Sequence, residues 1–71
     1  MNYHLIEIEI MNRSKKESVY ISTILEQYCM ENEYNIVDLY KNFSSGFKKR
    51  IRDEYIERRL VKDNKKGNNL L

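Results

Sequence analysis

The near absence of helix-breaking residues is the feature that most constrains the fold of this chain. Proline does not occur among its 71 residues, and glycine stands only at positions 46 and 67. These two residue types interrupt helices more strongly than any others, and 34% of the residues are charged. A mainly helical fold is therefore expected, with its breaks at Asn, Ser and Gly. A chain of this length forms one small domain, residues 1–71, whose core a partner subunit would help to stabilise.

One segment departs from helical spacing. In residues 3–11, YHLIEIEIM, isoleucine alternates with glutamate from Ile6 to Ile10. This period of two predicts a half-buried strand with Glu7 and Glu9 on its solvent face. Because a single strand is not stable alone, it needs another strand from the C-terminus or from a second chain.

Three helices are predicted after this strand. Ser14 and Glu17 have the spacing of a capping box, which predicts a first helix that starts there and fades near Glu31–Glu33. Asn35 is a favourable N-cap for a short second helix, and the serines at 44 and 45 can begin a third. Residues at spacings of three and four form the apolar sides of these helices: Val19 or Tyr20, Ile21, Ile24, Leu25 and Tyr28 in the first, Ile36, Leu39, Tyr40 and Phe43 in the second, and Phe47, Ile51 and Tyr55 in the third.

The end of the chain allows two interpretations. Leu60 and Val61 precede the polar stretch KDNKKGNN, and Leu70 and Leu71 follow it. Two short strands around this stretch would form a β-hairpin, whereas a frayed helix end would leave residues 62–71 as a disordered tail. Both interpretations stay open on the sequence alone.

Charge is divided unevenly along the chain. Residues 1–40 carry three lysines and arginines against seven acidic residues, and residues 41–71 carry ten against four, so the two parts have net charges of −4 and +6. A one-sided basic segment is typical of a protein that binds a polyanion, with nucleic acid as the first candidate. The alternative is a solvated helix with ion pairs four residues apart: Lys49–Asp53, Arg50–Glu54 and Glu54–Arg58.

Catalytic and metal sites are not expected. Cys29 is the single cysteine and His4 the single histidine, so there is no disulfide, no cysteine-based zinc site and no evident nucleophile with a base. No glycine-rich phosphate loop occurs, and no apolar run is long enough to span a bilayer. We therefore expect a cytoplasmic protein that is not an enzyme and that uses no cofactor or metal.

Residues 20–67 resemble the winged helix-turn-helix family of DNA-binding domains. The segment YISTILEQYCME is similar to the first helix of that family, NIVDLYKNF to the short second helix and SSGFKKRIRDEYIERRLV to a serine-led third helix. The ending YIERRLV resembles the family's exit into its wing, and KDNKKGNN would be the wing tip. The resemblance implies a three-helix domain with a small β component, made of the N-terminal strand and a C-terminal hairpin.

The resemblance also implies a function. The third helix would enter the major groove of duplex DNA with its N-terminal half, and its serines would offer helix-terminal amides to phosphates. A homodimer acting as a transcriptional regulator, or as a plasmid or phage accessory factor, is the expected biological unit. The residues implied in DNA binding are Ser45, Lys48, Lys49 and Arg52 in the helix, and Lys62, Lys65 and Lys66 in the wing.

Two alternatives accompany this prediction. A strand followed by helices is also the order of a ribbon-helix-helix dimer, but that arrangement would aim Glu7 and Glu9 at DNA, which would repel them. The chain could instead be a protein-interaction module, such as a small inhibitor or adaptor from a mobile element. It would then add its strand to a partner's sheet or set its basic helix against an acidic surface, and its six tyrosines suit such an interface.

Overall fold

The described part of the chain folds into four helices. The computed structural model describes the backbone of residues 1–69 and the side chains of residues 1–61. The helices are α1 (Tyr3–Glu17), α2 (Ile21–Asn32), α3 (Ile36–Lys41) and α4 (Ser45–Asn69). Residues 1–69 contain no strand, so the predicted small β component is wrong. The winged-helix-like architecture and the ribbon-helix-helix alternative both require strands, so these two predictions are wrong as well.

Residues 3–11 form a helix because their isoleucines satisfy a helical spacing as well as an alternating one. Ile6 and Ile10 lie four residues apart and are both buried, whereas Ile8 is 41% exposed. Residues four apart share one face of a helix, so two of the three isoleucines suffice to pack α1. The side chain of Asn2 caps this helix by accepting a hydrogen bond from the Leu5 amide at 3.2 Å.

The link between α1 and α2 differs from the predicted capping box. Ser14 lies in the last turn of α1, where its hydroxyl donates to the carbonyl of Val19. Ser18 adopts the left-handed conformation, with φ 56° and ψ 46°, and ends the helix. The next helix therefore starts at Ile21 and not at Ser14. Its predicted end near Glu31–Glu33 is confirmed, since α2 closes at Asn32.

The beginnings of α3 and α4 follow the predicted caps. Asn35 accepts from the amide of Asp38 at 3.1 Å, and the Ser44 hydroxyl accepts from the amide of Phe47 at 3.3 Å. The end of α4 is different from either expectation. Its backbone stays helical through residues 60–69, where the hairpin or the disordered tail was predicted, and Leu70 and Leu71 lie outside the described residues.

The core lies around α2, which packs against α1, α3 and α4. The rings of Phe43 and Phe47 meet edge to face at 4.9 Å between centroids, an arrangement that aromatic pairs favour. The buried apolar residues are Ile6, Ile10, Ile21, Ile24, Leu25, Cys29, Leu39, Phe43, Phe47 and Ile51.

Two carboxylates join the helices across the fold. Glu7 of α1, only 8% exposed, accepts from the amide of Ser44 at 2.9 Å and from its hydroxyl at 3.1 Å. Glu54 of α4 accepts from the amides of Ile21 and Ser22 at 3.0 and 2.7 Å. Each carboxylate accepts hydrogen bonds from amides at the start of a helix that have no partner within the helix. It also lies at the end where the helix dipole is positive. The predicted solvent exposure of Glu7 is therefore wrong.

We expect Glu54→Ala to lower the free energy of unfolding by about 2 kcal/mol, because two buried amides at the start of α2 would lose a charged acceptor. Tyr20, the residue that precedes α2, supplies no side-chain cap in its place. Urea unfolding followed by circular dichroism measures the change. Glu57→Ala is the matched control, since Glu57 is exposed on the same helix. Equal stability of the two variants would contradict the capping role.

Candidate functional site

The structure brings four of the predicted DNA-binding residues together at the start of α4. Ser45, Lys49 and Arg52 are exposed, and Lys48 is half-buried. Lys62, Lys65 and Lys66 do not lie in a wing, because the backbone of residues 62–69 continues α4. Lys62 follows Arg52 by ten residues, which is about 15 Å along a helix axis, and side chains beyond Val61 lie outside the described part of the chain.

The described side chains form none of the ion pairs predicted along α4, and two of the residues concerned, Glu54 and Arg58, contact α2 instead. Glu54 caps the start of α2, and the Arg58 guanidinium lies 3.7 Å from the Glu26 carboxylate. Among the described side chains, the cations at the start of α4 have no carboxylate within 4.0 Å: Lys48, Lys49, Arg50 and Arg52. Their charge is therefore available to a partner.

Three cations lie along one side of α4. Arg52 and Arg59 follow Lys48 by four and eleven residues, and both spacings return to nearly the same side of a helix. We call Lys48, Arg52 and Arg59 the basic row. Lys49 and Arg50 lie on other sides of the helix at the same level.

The start of α4 is not a free anion site. The Ser44 amide, which was expected to face a phosphate, already donates to the buried Glu7 carboxylate. This carboxylate occupies the positive end of the helix and would repel a second anion there. The Ser44 amide is therefore not available to a phosphate, and the predicted role of Ser45 stays a prediction.

An apolar groove that was not predicted from the sequence opens beside the basic row. Its volume is about 410 Å³, and Arg52 is the one charged residue among the described residues that line it. The groove exists because α3 has six residues, too few to cover the neighbouring side of α4. The lining residues come from α2, α3 and α4: Leu25, Ile36, Val37, Tyr40, Ile51, Arg52 and Tyr55.

Val37 carries a sequence signal that could have indicated this groove. It adds an apolar residue to α3 beyond Ile36, Leu39 and Tyr40, the residues that the helical spacing requires. In the structure the Val37 side chain is 65% exposed and lines the groove beside other apolar residues. Exposed apolar residues that cluster around a groove are typical of an interaction site.

A polar cluster holds one wall of the groove in place. The Tyr55 hydroxyl donates to the Glu26 carboxylate at 2.8 Å, and Arg58 donates to the Ser22 hydroxyl at 2.8 Å. The guanidinium of Arg58 lies 5.7 and 5.3 Å from the ring centroids of Tyr20 and Tyr55, within the range of cation–π attraction. Burial, with the hydrogen bond to Glu26, raises the pKa of Tyr55 to about 12.

The surface continues along α4 beyond the groove. A second concavity of about 610 Å³ is lined by Tyr55, Ile56, Arg58 and Arg59. Tyr55 therefore borders both the groove and this concavity. Leu60 and Val61 further along the helix are also more than half exposed. The apolar residues of this region therefore extend beyond what the small core uses.

The other residues considered for chemistry are isolated. Cys29 is buried, and burial raises the pKa of its thiol, which makes it a poor nucleophile. His4 is exposed near the start of α1. In the part of the chain that the structure describes, no cluster of three His, Cys, Asp or Glu residues could hold a metal ion. No helix there combines the length and apolar character needed to cross a bilayer.

Comparison with known proteins gives no relatives for this chain. No family model matches it, no curated protein matches it and no solved structure matches it.

We expect Tyr55→Phe to lower the free energy of unfolding at pH 7 by roughly 1 kcal/mol through loss of the hydrogen bond to Glu26. The pKa of Tyr55 is raised from 10.0 to about 12, so the neutral phenol is the form that the folded state favours. The stability difference between the wild type and the variant should therefore be constant below pH 10 and disappear as pH rises toward 12.

Urea unfolding at several pH values measures this difference. Tyr40→Phe is the matched control, because Tyr40 also borders the groove. A Tyr55→Phe difference that persists unchanged above pH 12 would contradict the role assigned to the phenol.

Proposed function

We propose that this chain is a protein-interaction module that binds an amphipathic helix of another protein in the groove between α3 and α4. The observation that carries the proposal is the groove itself, whose described lining is aliphatic and aromatic apart from Arg52. Recognition of a helix in a groove uses apolar anchors spaced three or four residues apart. Tyr40 and Tyr55 on its walls offer the rigid apolar area that interfaces favour.

The charge of α4 selects the kind of helix that fits. Arg52 lines the groove, and the neighbouring cations of the same turns have no carboxylate within 4.0 Å among the described side chains. A helix with acidic residues beside its apolar anchors would be complementary to this edge, and a basic one would be repelled. The preferred occupant is therefore an apolar helix with an acidic flank.

Occupancy of the groove is the proposed mechanism. A module of this size can tether a partner as an adaptor or cover the partner's surface as an inhibitor, and neither role needs a catalytic group. Addition of a strand to a partner's sheet, the other mode considered from the sequence, is excluded for residues 3–11 because they form a helix. We place this activity in the cytoplasm, where the single cysteine stays reduced.

We expect Val37→Asp to weaken binding of an acidic amphipathic helix at least about tenfold, or about 1.4 kcal/mol, because it places a carboxylate at the mouth of the groove. Val37 is exposed, so the substitution should leave the fold intact. The probe is a fluorescein-labelled peptide panel with leucine anchors at i, i+3, i+4 and i+7 and flanking glutamates. Fluorescence anisotropy measures the affinity.

One control and one charge-reversal variant complete this experiment. Ile8→Asp alters an exposed aliphatic residue on α1 and should leave the affinity unchanged. Arg52→Glu should weaken the glutamate-flanked peptides and strengthen a matched panel flanked by lysine. Equal binding of both panels by the wild type, or insensitivity to Val37→Asp, would contradict the proposed occupant.

DNA binding is the second candidate function, and one observation favours it. The cations at positions 48, 49 and 52 lie on consecutive turns of α4 and have no acidic partner among the described side chains. They could contact phosphates of duplex DNA, with Ser45 beside them, while Lys62, Lys65 and Lys66 extend the positive charge of the same helix. In this role the chain would serve, as a homodimer, as a transcriptional regulator or a plasmid or phage accessory factor.

A salt series tests DNA binding directly. If about four phosphates are neutralised per chain, the logarithm of affinity should fall with the logarithm of salt concentration with a slope of about −3.6. The variant Lys48→Ala/Lys49→Ala/Arg52→Ala should abolish binding to a mixed-sequence duplex without unfolding the chain. Unchanged affinity of this triple variant would refute the assignment of these residues, and sedimentation of the same sample tests the homodimer.

A further inference from the structure

We propose that α3 tilts away from α4 to admit a helix into the groove, and that the strained backbone of Glu33 favours this opening. The inference rests on the peptide-binding function proposed above and adds the conformational step by which the groove is filled. The moving unit is residues 34–42, which run from the link after α2 to the link before α4.

α3 is held weakly by the rest of the fold. It has six residues, whereas an isolated helix is marginal in water below about 12 residues. In the part of the chain that the structure describes, Leu39 is the one residue of α3 that is buried. Segments with few buried apolar contacts can open without unfolding of the whole protein.

Hollows on three sides of α3 leave it room to move. The groove lies towards α4, and a hollow of about 420 Å³ lies towards the end of α2, with Ile36 lining both. A third hollow of about 190 Å³ lies towards the start of α1 and is lined in part by Asp38 and Leu39. Protein interiors are otherwise close-packed, so this space allows α3 to tilt about Leu39 without steric clash.

The groove is too short for the proposed ligand while α3 stays in place. Its lining residues run from Ile51 to Tyr55 on α4 and from Ile36 to Tyr40 on α3, which is about 6 Å along each helix axis. Anchors at i, i+3, i+4 and i+7 of a ligand helix extend over about 10.5 Å. A tilt of α3 would extend the apolar surface to match them.

The link between α2 and α3 stores strain that such a tilt can release. Glu33 has the left-handed conformation, with φ 56° and ψ 40°, and its amide donates to the carbonyls of Cys29 and Met30. This conformation is unfavourable for a residue with a Cβ, and backbone strain of this kind is found at segments that switch. A motion that turns Glu33 out of it therefore favours the open state.

Relaxation-dispersion NMR of the ¹⁵N-labelled chain without ligand tests this motion. The expected result is millisecond exchange in residues 34–42 and none in α1 or α2. Glu33→Gly should lower the open population at least about fivefold, because glycine adopts the left-handed conformation without strain. Ser18→Gly is the matched control, since Ser18 has the same φ of 56° in the link between α1 and α2. It should leave the exchange of residues 34–42 unchanged.

Absence of exchange in residues 34–42, or equal open populations in the wild type and Glu33→Gly, would overturn the motion. Stopped-flow mixing with the glutamate-flanked peptides then tests its role in binding. The observed rate should reach a plateau as the peptide concentration rises, because opening precedes binding, and a rate that rises linearly throughout would overturn that role. Failure of every peptide to bind would refute the peptide-binding function, whereas the dispersion measurement, made without ligand, still decides the motion.

Discussion

The capping of helix amides by distant carboxylates is the interaction on which the rest of this fold depends. Glu7 connects α1 to the start of α4, and Glu54 connects α4 to the start of α2. Among the described side chains, ten apolar residues form the buried core, which gives a chain of this size little stability to spare. Glu7 holds α4 at its first turn. Glu54 and Arg58 hold it again about three turns later.

The same anchoring explains why a groove is left beside α4. Between its two anchor points α4 passes α3, whose six residues cover only part of the neighbouring helix. Ile51 and Leu25 close the floor, and Val37 and Tyr55 stand at the walls. Arg52 marks the boundary where the apolar surface becomes cationic. The candidate site is therefore a consequence of how short α3 is relative to the helices it joins.

Local signals in the sequence predicted only part of this structure. The caps at Asn35 and Ser44 depend on neighbouring residues, and both are present. The strand was wrong because the isoleucines at positions 6, 8 and 10 fit two periods, and packing against α2 decided between them. Glu54 was predicted to form ion pairs with Arg50 and Arg58. Its actual partners lie more than thirty residues away, so no pattern in the neighbouring sequence indicates them.

The most direct test of the proposed groove is a map of amide chemical shifts in the ¹⁵N-labelled protein during titration with an acidic amphipathic helical peptide. The account predicts that the changes concentrate on α3 and the facing side of α4, with Val37, Tyr40 and Arg52 among the largest. Changes confined to α1, around Leu5 and Ile8, or no changes at all, would contradict it.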